Sequence, residues 1–502
     1  MINFTQIGVS FLVFIFGVKM DPERLKTVAG DGLKTAALQI TTISSLALIT
    51  SYILGLSGFE TLIFTLTTAL SSTLVGLNLL EKEVDLKLAH GRLAESLHLS
   101  QDIVAIIFLI ILGASTYTLE AITISLAHGF TLLIAALIFR HYIIDILAQL
   151  TENSRELLML VSLTVLIGFL SLTEYFQISL SIGSFAAGLA VSKYPHNMEI
   201  LDTTGSLKDF FSAIFFVSLG ALLTIPNTQT LILSTAMLTL TIIAKPFAVI
   251  TSLVTLGQNK RTAYLTGFSI DQVSEFALII TIQAYLSNLI GEPIFQAVII
   301  TATLSMIISS YTAKHGDKIY NLLSKHDHLN TLTKKPRQNL PKHKQKNHVI
   351  VIGYDTQGKR ITKTLQQEQT DYIVIDNNPE KITELKEKNQ KYIFGDIMDE
   401  ETWQKADYKN AKLIISTVPI QKTSKKILSL DTEADKILRS KTIPQAKKLL
   451  KQGAIYVNIP EILSSELLLD HIEGIMKNKQ YKEEIRRKNM LEVRRYIQNQ
   501  EG

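Results

Sequence analysis

Asp102 is the single charged residue in the run LHLSQDIVAIIFLIILG, residues 97 to 113. A charge at mid-bilayer costs roughly 2.5–3.5 kcal/mol on insertion scales, so it persists mainly where it faces a partner or a wet cavity. Ion and proton pathways are the usual setting for such a carboxylate. Three more ionisable groups lie well inside apolar runs: Lys245, beside Pro246, and the pair Asp271 and Glu275. Two roles are open to Asp102: to carry an exchanged ion, or to pair with Lys245 and hold two helices together. Close by in the chain, TTALSST, residues 67 to 73, sets Ser71, Ser72 and Thr73 among five hydroxyls with no charge, and TATLSM, residues 301 to 306, is a loose echo of it. In transporters, hydroxyl-rich interruptions in corresponding halves mark discontinuous helices whose freed carbonyls line a midplane ion site. The same residue types also serve simply to let helices approach closely.

A second chemistry lies downstream. The turn Gly353-Tyr354-Asp355-Thr356-Gln357-Gly358 follows the β-branched run HVIVI, and Asp376 ends the next such run. In the dinucleotide fingerprint an acid about 20 residues after the glycine turn binds the ribose hydroxyls. The middle glycine of that fingerprint, which lets backbone approach the pyrophosphate, is here Asp355, adding bulk and like charge.

The elements that must position these residues fall into two regimes. The chain has 502 residues, 47% of them hydrophobic, and a net charge of +5 too small to argue for nucleic acid. With no cysteine, disulfides and thiolate metal sites are excluded. No basic segment precedes the first apolar run, so no cleavable signal peptide is expected. Measured against the ~20 residues needed to cross a bilayer, the apolar runs give eleven candidate spans, centred near residues 11, 45, 70, 103, 130, 165, 185, 216, 243, 275 and 303. Up to Lys318 there are sixteen Lys and Arg, and fifteen fall in alternate connections, among them Arg24, Lys26, Lys82 and Lys87. By the positive-inside rule the N-terminus is outside and the C-terminal region cytoplasmic.

Six segments in order, GVSFLVFIFGVKMDPERLK, LSSTLVGLNLLEK, SQDIVAIIFL, IGSFAAGLAVSKYPH, FFVSLGALL and KRTAYLTGFSIDQVSEFALII, cover most of residues 1 to 314. Together they resemble the monovalent cation:proton antiporter-2 family, especially its Kef-type potassium branch. The resemblance implies a cell-membrane carrier with inverted repeats, working as a homodimer, in which K+ or Na+ and a proton compete for Asp102 beside Gln101. It carries over Gln272, Glu275 and Phe276 from the family's Gln-Glu-Phe segment; Asp271 before them and Lys245 of the ninth span join the candidate ion and proton site as ionisable groups inside apolar runs. The single aspartate after Gln101 resembles the electroneutral pattern, whereas electrogenic relatives often have two. Two departures stand out: the family usually has two more helices before this opening segment, and its usual Gln-Gly-Gly-Glu-Phe reads Gln272-Val273-Ser274-Glu275-Phe276 here. The first departure bears on dimer contact, the second on how closely helices can approach.

Residues 315–347 carry eight Lys or Arg against two Asp, with Pro336 and Pro341, and read as a basic linker that would lie on anionic lipid or be simply solvated. From residue 348 strands and helices alternate: HVIVIG, DYIVID, KYIFGD and AKLIIST between GKRITKTLQQE, PEKITELKEKN and EETWQKAD. This pattern predicts a doubly wound Rossmann-type sheet. Residues 348–470 resemble the RCK, or TrkA-N, regulatory domain, which implies gating by NAD(H) or an adenosine nucleotide through Gly353, Tyr354, Gly358, Asp376 and Asp396 of GDIMD. Asp355 weakens that expectation. Residues 471–502 read as a charged helical tail. Other classes remain: a potassium channel subunit, against which stands the lack of a filter loop such as TVGYG, and a non-transporting sensor. No metal-binding His cluster, GKS/GKT P-loop or nucleophile elbow is present in the sequence, so no enzyme is suggested, and no metal beyond the transported cation.

Overall fold

A computed structural model describes residues 2–20, 31–73, 76, 89–112, 118–151, 154–176, 178–193, 196–323, 338–339, 346–477, 481–487 and 489–490. Arg24, Lys26, Lys82, Lys87 and most of the 324–347 segment lie outside the described residues. The chain divides into two units, Met1–Lys335 and Pro336–Gly502.

The apolar runs of the first unit form helices, since a chain in lipid must satisfy its backbone groups internally. In order these are α1 (Ile2–Lys19), α2 (Asp31–Ile53), α3 (Gly58–Ala69), α4 (Ala89–Leu112), α5 (Leu119–Tyr142), α6 (Ile144–Leu150), α7 (Arg155–Phe176), α8 (Leu180–Ala190), α9 (His196–Ala221) and α10 (Thr228–Thr239). A π-helical turn, Leu240–Ala244, leads into α11 (Lys245–Thr255); α12 (Lys260–Phe268), α13 (Glu275–Leu286) and α14 (Glu292–Leu323) follow. Among the described residues, six helical stretches are long and apolar enough to cross a membrane, and shorter apolar helices accompany them. Long helices such as α2, α5 and α7 leave Ile49, Ile134 and Ile167 exposed, as a lipid-facing surface would. The short α8 and α13 are buried almost all round. α8 lies against α1 at Gly17 and Gly188, where an added Cβ on Gly188 would fall 2.0 Å from the Phe14 carbonyl oxygen.

Two runs are not single helices. α3 stops at Ala69, and Leu70 is extended (φ −87, ψ 147). The run centred near 275 is split into α12 and α13, with residues 269–274 non-helical between them. At TATLSM, where the sequence leaves a helix break and plain helix packing both open, there is no break: α14 runs unbroken through it to Leu323. Its hydroxyls turn back on their own helix: Thr301 donates to Ala297 O (2.7 Å), Thr303 to Ile299 O (2.9 Å) and Ser305 to Ala302 O (3.0 Å). Serine and threonine bonded in this way leave the helical ladder intact. The counterpart of the break in the third run is therefore in the tenth, not the eleventh.

The π-turn before Lys245 has a local cause. Pro246 has no N–H to give the preceding turn and its ring crowds that turn. The Lys245 N–H bonds five residues back, to Leu240 O, and the helix widens by one residue there.

The second unit is one seven-stranded sheet flanked by helices. Its elements are β1 (Gln338–Asn339), β2 (His348–Ile352), α15 (Thr356–Gln367), β3 (Tyr372–Asp376), α16 (Pro379–Glu387), β4 (Tyr392–Phe394), α17 (Glu400–Lys405), β5 (Ala411–Ser416), α18 (Gln421–Leu428), β6 (Asp435–Arg439), α19 (Ile443–Lys451), β7 (Tyr456–Asn458) and α20 (Pro460–Lys477). The order is β1-β4-β3-β2-β5-β6-β7, parallel except for β1 on β4. From β4 to β7 this is the doubly wound order, with β2 and β5 at the switch point where ligands bind in such sheets. β2 is buried along its whole length, as a central parallel strand covered on both faces must be.

Candidate functional site

The two breaks meet, and each supplies the other's freed backbone groups. Ser71 Oγ donates to Ile270 O (2.9 Å), and Gln272 Nε2 donates back to Ser72 O (3.0 Å). Ser72 Oγ donates to the Glu275 carboxylate in the first turn of α13. Ser305 of α14 accepts Val273 N at 3.1 Å, and Ser309 Oγ donates to Gln272 Oε1 at 2.9 Å. Short polar side chains are suited to this task because they reach a neighbouring carbonyl without filling the space between two backbones.

Lys245 spans the crossing. Its side chain is fully buried, and the ammonium donates to Leu70 O (3.1 Å), just beyond the end of α3, and to Gln272 O (2.8 Å) in the second break. A cation is favourable at the C-terminal end of a helix, where carbonyls lack intrahelical partners. The pairing of Lys245 with Asp102 that the sequence left open is not made; among the described residues Lys245 is in no ion pair.

Asp102 projects from mid-α4 and is 6% exposed. Thr73 Oγ1 lies 3.0 and 2.9 Å from its two oxygens, and this hydroxyl is the one hydrogen-bond donor it has among the described residues. An ionised carboxylate has about four acceptor positions, so most of its capacity is left open. Gln101, its neighbour, is held at both ends of its amide: Oε1 accepts Ser71 N (2.8 Å) and Nε2 donates to Gln39 Oε1 (2.7 Å). Gln39 Nε2 in turn reaches Ala69 O at 2.9 Å. Gln101 thus ties α4 to the end of α3 and leaves Asp102 free beside it.

The structure brings together Ser71, Ser72, Thr73, Gln101, Asp102, Lys245, Gln272 and Glu275 in this network, with Asp271 in the second break, its Oδ2 accepting Thr312 Oγ1 at 2.6 Å. Gln39, Ser309 and Thr312 were not singled out from the sequence. A lone amide inside an apolar run, as at Gln39, was the available signal. His98 is also buried here, and an added Cβ at Gly76 would lie 2.5 Å from its Nε2 and 2.7 Å from Gln272 Nε2.

In the second unit, Gly353 has φ +89, and a Cβ there would meet Thr417 Oγ1 at 2.5 Å. A Cβ at Gly358 would fall 1.9 Å from Gly353 O. The turn therefore needs both glycines, for a left-handed backbone and for close packing of helix on strand. Asp376 holds the turn: Oδ2 accepts Tyr354 N (2.7 Å) and Oδ1 accepts Asn378 N (2.8 Å). The Tyr354 ring is buried in the core, so this residue offers a ligand backbone only, and burial raises its phenol above the usual range. Asp396 Oδ1 accepts Met398 N at 2.9 Å, bracing the turn after β4. Asp355 is extended at the N-cap of α15 with no capping bond; its side chain is 85% exposed and 3.9 Å from Lys381. The glycine turn and open helix N-terminus fit a nucleotide phosphate, and the exposed Asp355 carboxylate is set against it.

Residues 3–315 match the family model described as sodium/hydrogen exchanger, transmembrane, and residues 349–460 match the TrkA-N domain. The chain is 25% identical over 438 residues to YbaL of Escherichia coli strain K12, provisionally named a cation/proton antiporter, covering 82% of this chain and 77% of that one. It is 25% identical over 453 residues to the glutathione-regulated potassium-efflux system protein KefC of the same strain, covering 86% and 70%. Among solved structures, the TrkA-N domain of the Escherichia coli inner membrane protein YbaL aligns with 26% of this chain and 98% of that one, at 22% identity and a TM-score of 0.25.

Proposed function

Because this chain belongs to the sodium/hydrogen exchanger family, we propose that it is a secondary antiporter exchanging a monovalent cation for protons at Asp102. The observation that carries this reading is a buried carboxylate with one hydroxyl donor among the described residues, set beside two broken helices whose carbonyls are turned inward. Ionised, Asp102 with Thr73 offers oxygen ligands to a dehydrated cation; protonated, it is neutral and no longer holds one. A site that must release its proton before it holds the cation, and the cation before it is reprotonated, couples the two fluxes. Alternating access by one bundle moving against another turns that competition into exchange.

Gln101, Ser71 and Gln272 position the crossing, and Lys245 holds the charge of its carbonyl ends. Potassium is the first candidate substrate, from the likeness to KefC, with sodium the alternative. Residues 1–314 would form the transport domain, 315–347 a basic linker, 348–470 the regulatory domain and 471–502 a helical tail, with the N-terminus outside, the regulatory domain cytoplasmic and the protein a homodimer. A bound NAD or adenosine nucleotide would supply the regulatory signal. The Gly353–Gly358 turn would hold its phosphate and Asp376 would face its ribose.

The test is exchange by the purified full-length protein in vesicles, with potassium, sodium and lithium in turn. Asp102→Asn is expected to abolish coupled exchange while insertion and elution profile stay those of the wild type. Exchange near the wild-type rate in this variant would remove Asp102 from the mechanism.

A further inference from the structure

A second carboxylate in the crossing has no place in that reading. Asp271 lies in the non-helical link between α12 and α13 and is 1% exposed. Its Oδ2 accepts Thr312 Oγ1 at 2.6 Å, and its Oδ1 is buried with no hydrogen-bond partner among the described residues. Lys245, on α11, is the charged group that acts on it, but that ammonium donates to Leu70 O and Gln272 O and forms no ion pair with it. Of the titratable groups on the other elements around the link, Glu275 of α13 accepts Ser72 and Asp317 of α14 pairs with Arg261, while His98 of α4 is buried near Gly76 with neither ring nitrogen hydrogen-bonded among the described residues.

A buried carboxylate with one oxygen unpaired is disfavoured far more strongly as an anion than as a neutral acid. The geometry suits the acid, with Oδ1 carrying the proton and Oδ2, as its carbonyl, accepting Thr312. The link is also mechanically joined to the Asp102 site. Ile270, on one side of Asp271, accepts Ser71, and Gln272, on the other, donates to Ser72; the next residue, Thr73, is the donor to Asp102. A movement that opens Asp102 to water must act on the backbone that carries Asp271. Once wetted at neutral pH, a carboxylic acid ionises.

We propose that Asp271 is a second proton-carrying site, so that each cycle moves two protons one way for one cation the other. One proton leaves Asp102 and one leaves Asp271, both into water on the same side, and one net charge crosses the membrane per cycle. The proposal rests on the antiport reading and departs from the electroneutral exchange that the single aspartate after Gln101 led the sequence to suggest.

The experiment is the reversal point of exchange in vesicles of phosphatidylethanolamine and phosphatidylglycerol containing the full-length protein. Equal thiocyanate on both sides holds the membrane potential at zero, and the cation is potassium, or sodium where the protein exchanges only sodium. At a set proton gradient, the wild type is expected to reverse where the cation ratio equals the square of the proton ratio. Asp271→Asn should shift reversal to the point where the two ratios are equal. Wild-type reversal at equal ratios overturns the proposal, and this arm stands even if the variant fails to fold. Reversal of Asp271→Asn at the square also overturns it, by placing the second proton elsewhere. Wild-type protein that exchanges no cation at all would overturn the antiport reading itself and this proposal with it.

Discussion

At the scale of single residues, the crossing separates two buried charges that a sequence reader would pair. Lys245 is held by carbonyls from both breaks, and Asp102 by one hydroxyl. Lys245 is thus bound from both sides of the crossing, whereas Asp102 is left with open coordination. Hydrogen bonds to charged groups contribute about 1.5–3 kcal/mol. Lys245→Met is therefore expected to lower stability by roughly that amount for each carbonyl left unpaired, with weaker exchange. Thermal unfolding in detergent measures the first effect and vesicle flux the second. An unchanged melting temperature would mean that water replaces the ammonium at Leu70 and Gln272.

At the scale of elements, the site depends on helices that stop and on helices that touch. α3 and α12 end where their polar residues find partners on the other broken helix, while α14 continues unbroken through Thr301, Thr303 and Ser305, whose hydroxyls donate to carbonyls of their own helix. α1 and α8 approach until Gly17 and Gly188 are in contact. Gly188→Ala should force these helices apart, because its Cβ would sit 2.0 Å from the Phe14 backbone oxygen. Overpacking of this kind costs typically about 1–3 kcal/mol. Gly168→Ala, with nothing within 4 Å of the added Cβ, is the matched control and should melt no lower than the wild type. Equal melting temperatures for both variants would show that α1 and α8 part at little cost.

At the scale of the whole molecule, a membrane unit and a Rossmann-type unit share one chain, and the second unit's value as a regulator depends on what its glycine turn can hold. Asp355 is exposed at a helix N-terminus and leaves the first-turn N–H groups uncapped by its side chain. Removing a charge that opposes an anion at such a terminus should gain about 1 kcal/mol. Asp355→Gly in the full-length protein is thus expected to bind NAD several-fold more tightly, with a smaller change for adenosine, which has no phosphate to oppose. Calorimetry with NAD, AMP and adenosine measures this. Equal NAD affinity in the two proteins would mean that the carboxylate turns away toward Lys381 on binding.

The sequence by itself determined what depends on local pattern. Apolar runs of membrane length gave helices, and the β-branched runs at 348–352, 372–376, 392–394 and 411–416 gave parallel strands, since burial on both faces leaves few residue types possible. It also brought Asp102, Lys245 and the 67–73 hydroxyls to notice, because polar groups are costly in an apolar run. β6 and β7, with Lys436 and Arg439 in one and an exposed Tyr456 in the other, carried a weaker pattern and were not separately picked out. Which hydroxyl-rich stretch breaks its helix, and which carbonyls receive Lys245, were decided only by the tertiary structure. A serine or threonine hydroxyl can satisfy its own helix or another chain segment, and Ser71 and Thr301 are alike in sequence terms. The outcome turns on whether a freed carbonyl lies across from it, as Ile270 O does for Ser71, 199 residues away.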